Sequence, residues 1–168
     1  MVGSEVMFNL ERPDVKIGRP ILQVENVSAY DDKGYWAARN ISFEVREGEI
    51  FGIAGVSGNG QQPLAEVLAG LRKASAGRVL FENKDITRLS SLERWKKGVG
   101  YIPSEQRAVG SIGDFSLVEN LLMSYYYDDQ FVKWGLIDTK KIRQLAQELI
   151  EEYNVATPNP DVKARNLS

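Results

Sequence analysis

The 168-residue sequence contains no cysteine and no histidine. The absence of cysteine excludes a disulfide framework and a cysteine metal site, and it is compatible with a reducing compartment. The absence of histidine excludes histidine metal ligands, a Ser-His-Asp triad and a histidine general base within these residues. Chemistry in this chain must therefore come from other side chains or from the backbone.

The chain also lacks a strong net charge and a long apolar run. Its 21 Lys and Arg residues nearly balance 23 Asp and Glu residues, for a net charge of −2. Because no basic cluster dominates any stretch, a general nucleic-acid surface is not expected. No stretch approaches the roughly 20 apolar residues of a membrane span, and no secretion signal is evident. The 43% hydrophobic content predicts a domain with a real core.

The pattern of residues 50–71 predicts a strand, a glycine loop and a helix in one continuous unit. The short apolar run at 50–54 predicts a buried strand of a parallel sheet. The spacing G-x-x-G-x-G of Gly55, Gly58 and Gly60 closely matches the phosphate-binding P-loop. A helix should begin near Gln61 and end near Gly70. Its apolar stripe comprises Leu64, Val67, Leu68 and Leu71.

A strand, glycine loop and helix in this order favour anion binding. Glycines let successive backbone N–H groups point inward, and the start of the helix adds the positive end of its dipole. The motif normally continues with Lys and then Ser or Thr, whereas this chain has Gln61 and Gln62. A neutral contact in place of a charged one forfeits roughly 1–2 kcal/mol, and the hydroxyl ligand for Mg²⁺ is missing. We therefore expect weak nucleotide binding and poor catalysis at this loop.

The glycine loop has two other interpretations. An ordinary strand-to-helix turn that binds nothing has the same composition. A dinucleotide-binding fold would need a glycine where Pro63 stands, so it is disfavoured.

The segment before the loop predicts two strands, at residues 21–27 and 41–45, with a turn at Lys33-Gly34 between them. Three aromatic residues, Tyr30, Tyr35 and Trp36, flank this turn. They could stack on a purine, or they could pack in the core or simply reflect the preference of aromatic residues for strands.

The segment after the glycine loop predicts a strand at residues 78–81 and a second buried strand at 99–102. Between them, Ser90 and Glu93 have capping-box spacing and predict a short helix. A polar loop at 103–110 follows, at the ligand side of an α/β sheet. Glu105 and Arg107 in this loop either contact nucleotide or a partner, or form an internal ion pair in a solvated loop.

From Ser116 onward the pattern is helical. Ser116 and Glu119 have capping-box spacing, a loop at 128–137 carries Phe131 and Trp134 with an exposed character, and Asp138 should cap an amphipathic helix. The apolar face of that helix, which we expect to pack inside a small helical subdomain, comprises Ile142, Leu145, Ala146, Leu149, Ile150 and Tyr153.

Three segments taken together, residues 48–61, 101–103 and 115–121, resemble the ATPase subunit of an ABC importer. The match is to the second nucleotide-binding half of the tandem ATPases that energise sugar and nucleoside uptake. The resemblance implies an α/β fold: an incomplete P-loop nucleotide-binding core with an antiparallel β part and a small helical subdomain. It implies a linker from a preceding half-domain at 1–20, a partial ATP-binding core at 21–113 and a partial helical subdomain at 114–168. Leu167 and Ser168 are similar to the first two residues of the Leu-Ser-Gly-Gly signature.

The resemblance also implies the site residues. Tyr30 matches the aromatic that stacks on adenine, with Tyr35 and Trp36 as rivals, and Ser104 and Glu105 occupy the region of the Q-loop. Gln61 fits the second halves, in which Gln commonly replaces Lys, whereas Gln62 departs further from the family. The implied phosphate-binding residues are Gly55, Val56, Ser57, Gly58, Asn59, Gly60, Gln61 and Gln62. No catalytic residue and no metal ligand is expected in this chain.

The expected function is the ATP-binding component of an importer for sugars or nucleosides, peripheral to the cytoplasmic face of the membrane. ATP and Mg²⁺ are the cofactors expected in the intact protein. Membrane-spanning permease subunits, the first nucleotide-binding half and, indirectly, a substrate-binding protein are the expected partners, and nucleic acid is not. This chain alone should bind nucleotide weakly without hydrolysis. The alternatives are a non-catalytic regulatory nucleotide-binding module and an interaction domain.

Overall fold

The computed structural model consists of two units, the first ending at Tyr101 and the second beginning at Ile102. It describes residues 15–56 and 58–167. Most of the predicted linker at 1–20 and the candidate residues Ser57 and Ser168 therefore lie outside the described residues. The boundaries 21–113 and 114–168 stay predictions.

An antiparallel sheet forms the first unit. Its strands are β1 (Pro20–Tyr30), β2 (Trp36–Arg46), β3 (Ala76–Phe81) and β4 (Lys84–Asp85), in the spatial order β2-β1-β3-β4. Each neighbouring pair is antiparallel. The three strands predicted at 21–27, 41–45 and 78–81 are thus confirmed. On β2 the predicted alternation holds, with Ile41, Phe43 and Val45 half-buried between exposed polar residues.

Helix α1 (Gln61–Ala69) supplies the other side of the core. The cluster of buried apolar residues comprises Val24, Val27, Ala29, Ala38, Leu64, Val67, Val79 and Ile86. It joins the inner face of β1 and β3 to the apolar stripe of α1, since Leu64 and Val67 lie on that stripe. The helix ends as predicted, with Gly70 in the left-handed region at φ 79°. A short helix, α2 (Ser91–Trp95), follows with both hydrogen bonds of the Ser90 and Glu93 capping box.

The two predicted parallel strands are wrong for the described residues. Residues 50–54 and 99–102 have no regular secondary structure, and Ile50 and Ile102 are 98% and 80% exposed. A β-strand requires a neighbouring backbone to complete its hydrogen bonds, and within 15–56 and 58–167 every paired strand belongs to an antiparallel ladder. Phe51 instead stacks on Phe43 of β2, with ring centroids 4.9 Å apart.

The second unit is mainly helical. Helix α3 (Leu117–Tyr125) begins at the predicted capping box of Ser116 and Glu119, and α4 (Thr139–Glu152) begins at Asp138, whose carboxylate accepts from the Lys141 N–H at 3.2 Å. Within α4, Ile142 and Ala146 are buried as expected, whereas Tyr153 of the predicted apolar face is the C-cap residue and is 70% exposed. A π-helical turn (Gln106–Gly110) and a 3₁₀ turn (Ala164–Asn166) complete this unit. Among the described residues no helix is long and apolar enough to cross a membrane.

The predicted loop at 128–137 is a small hairpin instead. Strands β5 (Val132–Lys133) and β6 (Leu136–Ile137) are joined by Trp134 and Gly135, at φ 53° and 76°. The Trp134 side chain is fully exposed, as predicted. Phe131 is half-buried rather than exposed, because its ring packs edge-on against Tyr125 at 5.3 Å.

Candidate functional site

The glycine loop leads directly into α1, as the sequence predicts. Gly60 is the N-cap residue of that helix, at φ 93° and ψ 2°. A Cβ atom at this position would overlap the backbone carbonyl of Ala37 on β2. Only glycine therefore meets both requirements, a left-handed backbone and close approach to the sheet. The N–H groups of the first helical turn have no acceptor within the helix, which suits them to an anion.

Gln61 is folded back across the glycine loop. Its side-chain amide donates to the carbonyl oxygen of Val56 at 3.3 Å, and a Cβ atom at Gly55 would overlap that amide. The Asn59 N–H donates to the same carbonyl oxygen at 3.1 Å. The residue in the lysine position of the motif thus reaches the loop, but it brings an amide instead of a positive charge.

Gln62, in the position of the Mg²⁺-binding hydroxyl, is engaged elsewhere. Its amide nitrogen donates to Glu66 one turn further along α1, at 2.9 Å. The start of α1 therefore offers backbone N–H groups to an anion, but Gln61 and Gln62 supply neither the cation nor the hydroxyl that a P-loop normally adds. In the described ranges no group of acidic side chains comes together as a metal site.

Tyr30 and Trp36 form an aromatic pair across β1 and β2. They are register partners, and their rings stack with centroids 4.1 Å apart at an interplanar angle of 28°. The guanidinium of Arg39 lies 5.8 Å from the centroid of the Trp36 ring. Tyr30 and Trp36 remain 42% and 49% exposed, and Tyr35 is more exposed still. Packing in the core is therefore the wrong interpretation for all three aromatics, and Tyr30 and Trp36 share one exposed stack.

The turn that carries the aromatic pair is closed by Asp31. Its carboxylate accepts from the N–H groups of Lys33 and Tyr35 at 2.9 and 2.8 Å. The backbone N–H of Asp31 also donates to the Tyr35 carbonyl at 2.8 Å, and Gly34 takes the left-handed conformation at φ 82°. The Lys33-Gly34 turn predicted from the sequence is thus present and tightly bonded.

Arg72 is a candidate residue that the sequence analysis missed. Its guanidinium donates three hydrogen bonds of 2.8 Å, to the Tyr30 carbonyl oxygen, the Asp32 carboxylate and the Glu66 carboxylate. The two carboxylates, Asp32 first, raise the pKa of Arg72 above its ordinary value. Nothing in the sequence pattern links residues 30 and 72, so only the fold reveals the contact.

The candidate Q-loop residues belong to the second unit. Ser104 and Glu105 are exposed, and the Glu105 carbonyl accepts from the Val109 N–H at 3.0 Å at the start of the π-helical turn. The Arg107 side chain lies outside the description. Contact with nucleotide and an internal ion pair therefore both stay predictions for this loop.

A sequence model described as ABC transporter matches residues 38–168. The chain belongs to the ABC transporter family. It is 43% identical over 155 residues to the glucose import ATP-binding protein TsgD13 of Haloferax volcanii, which covers 92% of this chain and 28% of that protein. It is 36% identical to the guanosine import ATP-binding protein NupO of Bacillus subtilis, over 100% of this chain and 33% of that protein. This ABC transporter chain thus spans about a third of the length of these relatives.

Solved ABC transporter cassettes share the fold. A nucleotide-free ATP-binding cassette is 28% identical with a TM-score of 0.67, over 89% of this chain and 60% of that one. A dimeric bacterial cassette is 21% identical with a TM-score of 0.69, over 88% and 63%. The α/β fold class is therefore confirmed: part of a P-loop ABC cassette, with an antiparallel sheet and a small helical region.

Proposed function

We propose that this chain is part of the ATP-binding component of an importer for sugars or nucleosides. The proposal rests on the geometry of the glycine loop. Gly60, at the start of α1, lies close to the backbone of β2, and Gln61 occupies the lysine position of the motif. The relatives named for glucose import and guanosine import support the transported class. Gln61 supports assignment to the second, degenerate half of a tandem ATPase.

The proposed binding mode uses two surfaces of the first unit. The adenine stacks on Tyr30, which Trp36 supports from the neighbouring strand. The phosphate oxygens accept hydrogen bonds from the N–H groups of the loop and of the first turn of α1. The proposed phosphate contacts are Gly55, Val56, Ser57, Gly58, Asn59, Gly60, Gln61 and Gln62. Ser104 and Glu105, in the Q-loop region of the second unit, are separate candidate contacts in the intact protein.

The loop holds nucleotide weakly and without hydrolysis in this proposal. Mg²⁺ would offset phosphate charge when bound in the intact protein, but the hydroxyl that ligates it is replaced by Gln62, which hydrogen-bonds Glu66. The residues therefore fit the triphosphate and do not fit the metal. Gln61 adds a hydrogen bond to the phosphates and no charge.

The setting of the chain follows from the same proposal. We expect it at the cytoplasmic face of the membrane, bound to permease subunits and to a first nucleotide-binding half, with a substrate-binding protein acting indirectly. Residues 1–20 would be the linker between the halves, 21–113 the ATP-binding core and 114–168 the helical subdomain that meets the permease. Nucleic acid is not a proposed partner.

Calorimetric titration of the purified protein with ATP tests the proposal, with Tyr30→Ala beside the native chain. Loss of a base stack is worth about 1–3 kcal/mol, so the variant should bind roughly tenfold more weakly. Tyr35→Ala, an exposed aromatic in the same turn, is the matched control and should bind as the native chain does. No phosphate should be released in any sample. A folded native chain that binds no ATP would overturn the proposal and favour an interaction domain.

A further inference from the structure

The Arg72 side chain joins the two surfaces of the proposed nucleotide site. It follows α1 and is only 19% exposed. The Nη1 atom of its guanidinium donates a hydrogen bond to the backbone carbonyl of Tyr30 at the end of β1. The Nε atom donates a hydrogen bond to the carboxylate of Glu66 on α1. A planar, always charged fork of this kind fixes geometry better than a flexible ammonium does, because each N–H points in a set direction.

The network continues to the glycine loop. The second oxygen of the Glu66 carboxylate accepts from the Gln62 amide at 2.9 Å, and Gln62 lies in the first turn of α1. A chain of hydrogen bonds therefore runs from the phosphate-binding end of α1, through Glu66 and Arg72, to the backbone of Tyr30. Its two ends are the surfaces proposed for the phosphates and for the base.

The β1–β2 hairpin also has contacts of its own, separate from this network. Asp31 closes the turn with its own carboxylate and backbone, and the two strands pair along their length. The buried core beneath them is built from apolar side chains of β1, β2, β3 and α1, together with Ile86. The contribution of Arg72 is therefore the placement of the aromatic pair relative to α1.

We propose that Arg72 is a positioning residue, which sets the distance between the Tyr30–Trp36 stack and the glycine loop so that one adenine nucleotide can contact both. The inference rests on the proposed nucleotide-binding function. Replacing Arg72 should therefore weaken binding only of a ligand that has a base and phosphates in one molecule, because only such a ligand must match the distance between the two surfaces. Inorganic tripolyphosphate, which has no base, does not report on that distance.

The test compares ATP with inorganic tripolyphosphate on the protein at its natural length. We expect Arg72→Gln to weaken ATP binding roughly tenfold, the order of a weakened base stack, and to leave tripolyphosphate binding within about twofold of the native value. Arg72→Lys keeps the charge without the directed fork, so ATP affinity should be intermediate. Arg78→Gln, which removes an exposed ion pair with Glu25, is the matched control and should change neither affinity.

Asp32→Ala provides a second route if Arg72→Gln does not fold. Asp32 is highly exposed and its loss removes one of the three contacts of the guanidinium. We expect a weaker but selective loss of ATP affinity. Equal losses of affinity for ATP and tripolyphosphate would overturn the positioning role of Arg72. Unchanged ATP affinity in both variants, while the native protein binds ATP, would do the same. Either result would leave the proposed nucleotide-binding function intact. A folded native protein that binds neither ligand would overturn the proposed function as well.

Discussion

The Nη1 atom of Arg94 donates to the carbonyl oxygens of Val67 and Leu68, at 2.6 and 2.8 Å. These carbonyls belong to the last turn of α1, where helical acceptors have no partner within the helix and a cation is favoured by the dipole. The same guanidinium donates to the carbonyls of Thr87 and Leu89, at 2.9 and 3.1 Å. Burial lowers the pKa of Arg94 below its ordinary value. The C-terminus of α1 is thus tied to the segment that leads into α2.

Replacing this buried guanidinium should be costly. Arg94→Met leaves several carbonyl oxygens without donors, and we expect the free energy of unfolding to fall by about 2–4 kcal/mol. Denaturant unfolding followed by circular dichroism measures the change. Arg88→Met, an exposed arginine six residues earlier, is the matched control and should change stability by less than about 0.5 kcal/mol. Equal effects of the two substitutions would show that the buried contacts do not stabilise the fold.

Gly60 and Gly58 offer a second matched pair. Both have positive φ, at 93° and 88°, but a Cβ atom at Gly60 would overlap the Ala37 carbonyl whereas one at Gly58 would meet nothing within 4 Å. Gly58→Ala should therefore cost about 1 kcal/mol for backbone strain alone. Gly60→Ala should cost roughly 1–3 kcal/mol more, because the loop must also move away from β2. Thermal unfolding of both variants decides this, and similar melting temperatures would contradict the close approach of loop and sheet.

The hydrogen bonds that the sequence predicted best are local. The capping boxes at Ser90 and Ser116, the cap at Asp138 and the glycine end of α1 depend on neighbours within four residues, and all four are present. The antiparallel strands were likewise predictable, because the alternation of Ile41, Phe43 and Val45 reports one buried face.

The capping box of α3 should make stability depend on pH. The backbone N–H and the hydroxyl of Ser116 donate to the Glu119 carboxylate, at 2.7 and 2.8 Å, and hold the pKa of Glu119 below its ordinary value. A depressed carboxyl pKa contributes stability above the unfolded pKa, about 4.3, and this contribution is lost as the pH falls through the folded pKa. Unfolding of the native chain should therefore become easier below about pH 4.5.

Two variants isolate that contribution. In Glu119→Gln the titrating group is gone, so the loss of stability between pH 6 and pH 3 should be smaller than in the native chain. Ser116→Ala removes the hydroxyl, so it should destabilise the chain more at pH 6 than at pH 3. Unfolding curves measured across this pH range provide the comparison, and parallel pH profiles for all three proteins would rule out the capping box as their source.

The features that could not be predicted depend on distant parts of the chain. A continuous apolar run such as residues 50–54 is typical of a strand buried on both faces, but it cannot supply the neighbouring backbone that makes it a strand, and here Ile50 is 98% exposed. Arg72 reaches Tyr30 across 42 positions, and no short motif encodes that distance. The hairpin at Trp134 was missed because Trp134, rather than the expected asparagine, occupies a positive-φ turn position before Gly135.

In the proposed function, the glycine loop is a phosphate-binding loop weakened by the missing charge at Gln61. Calorimetric titration with ATP of the native chain, Gln61→Lys and Gln62→Lys tests it most directly. Restoring the charge should recover about 1–2 kcal/mol, which is a gain of roughly five- to thirtyfold in affinity. Gln62→Lys adds the same charge beside Glu66 and should gain much less. If Gln61→Lys binds no tighter than Gln62→Lys, or if all three folded proteins bind no ATP, the loop is only a turn and the proposed phosphate site is wrong.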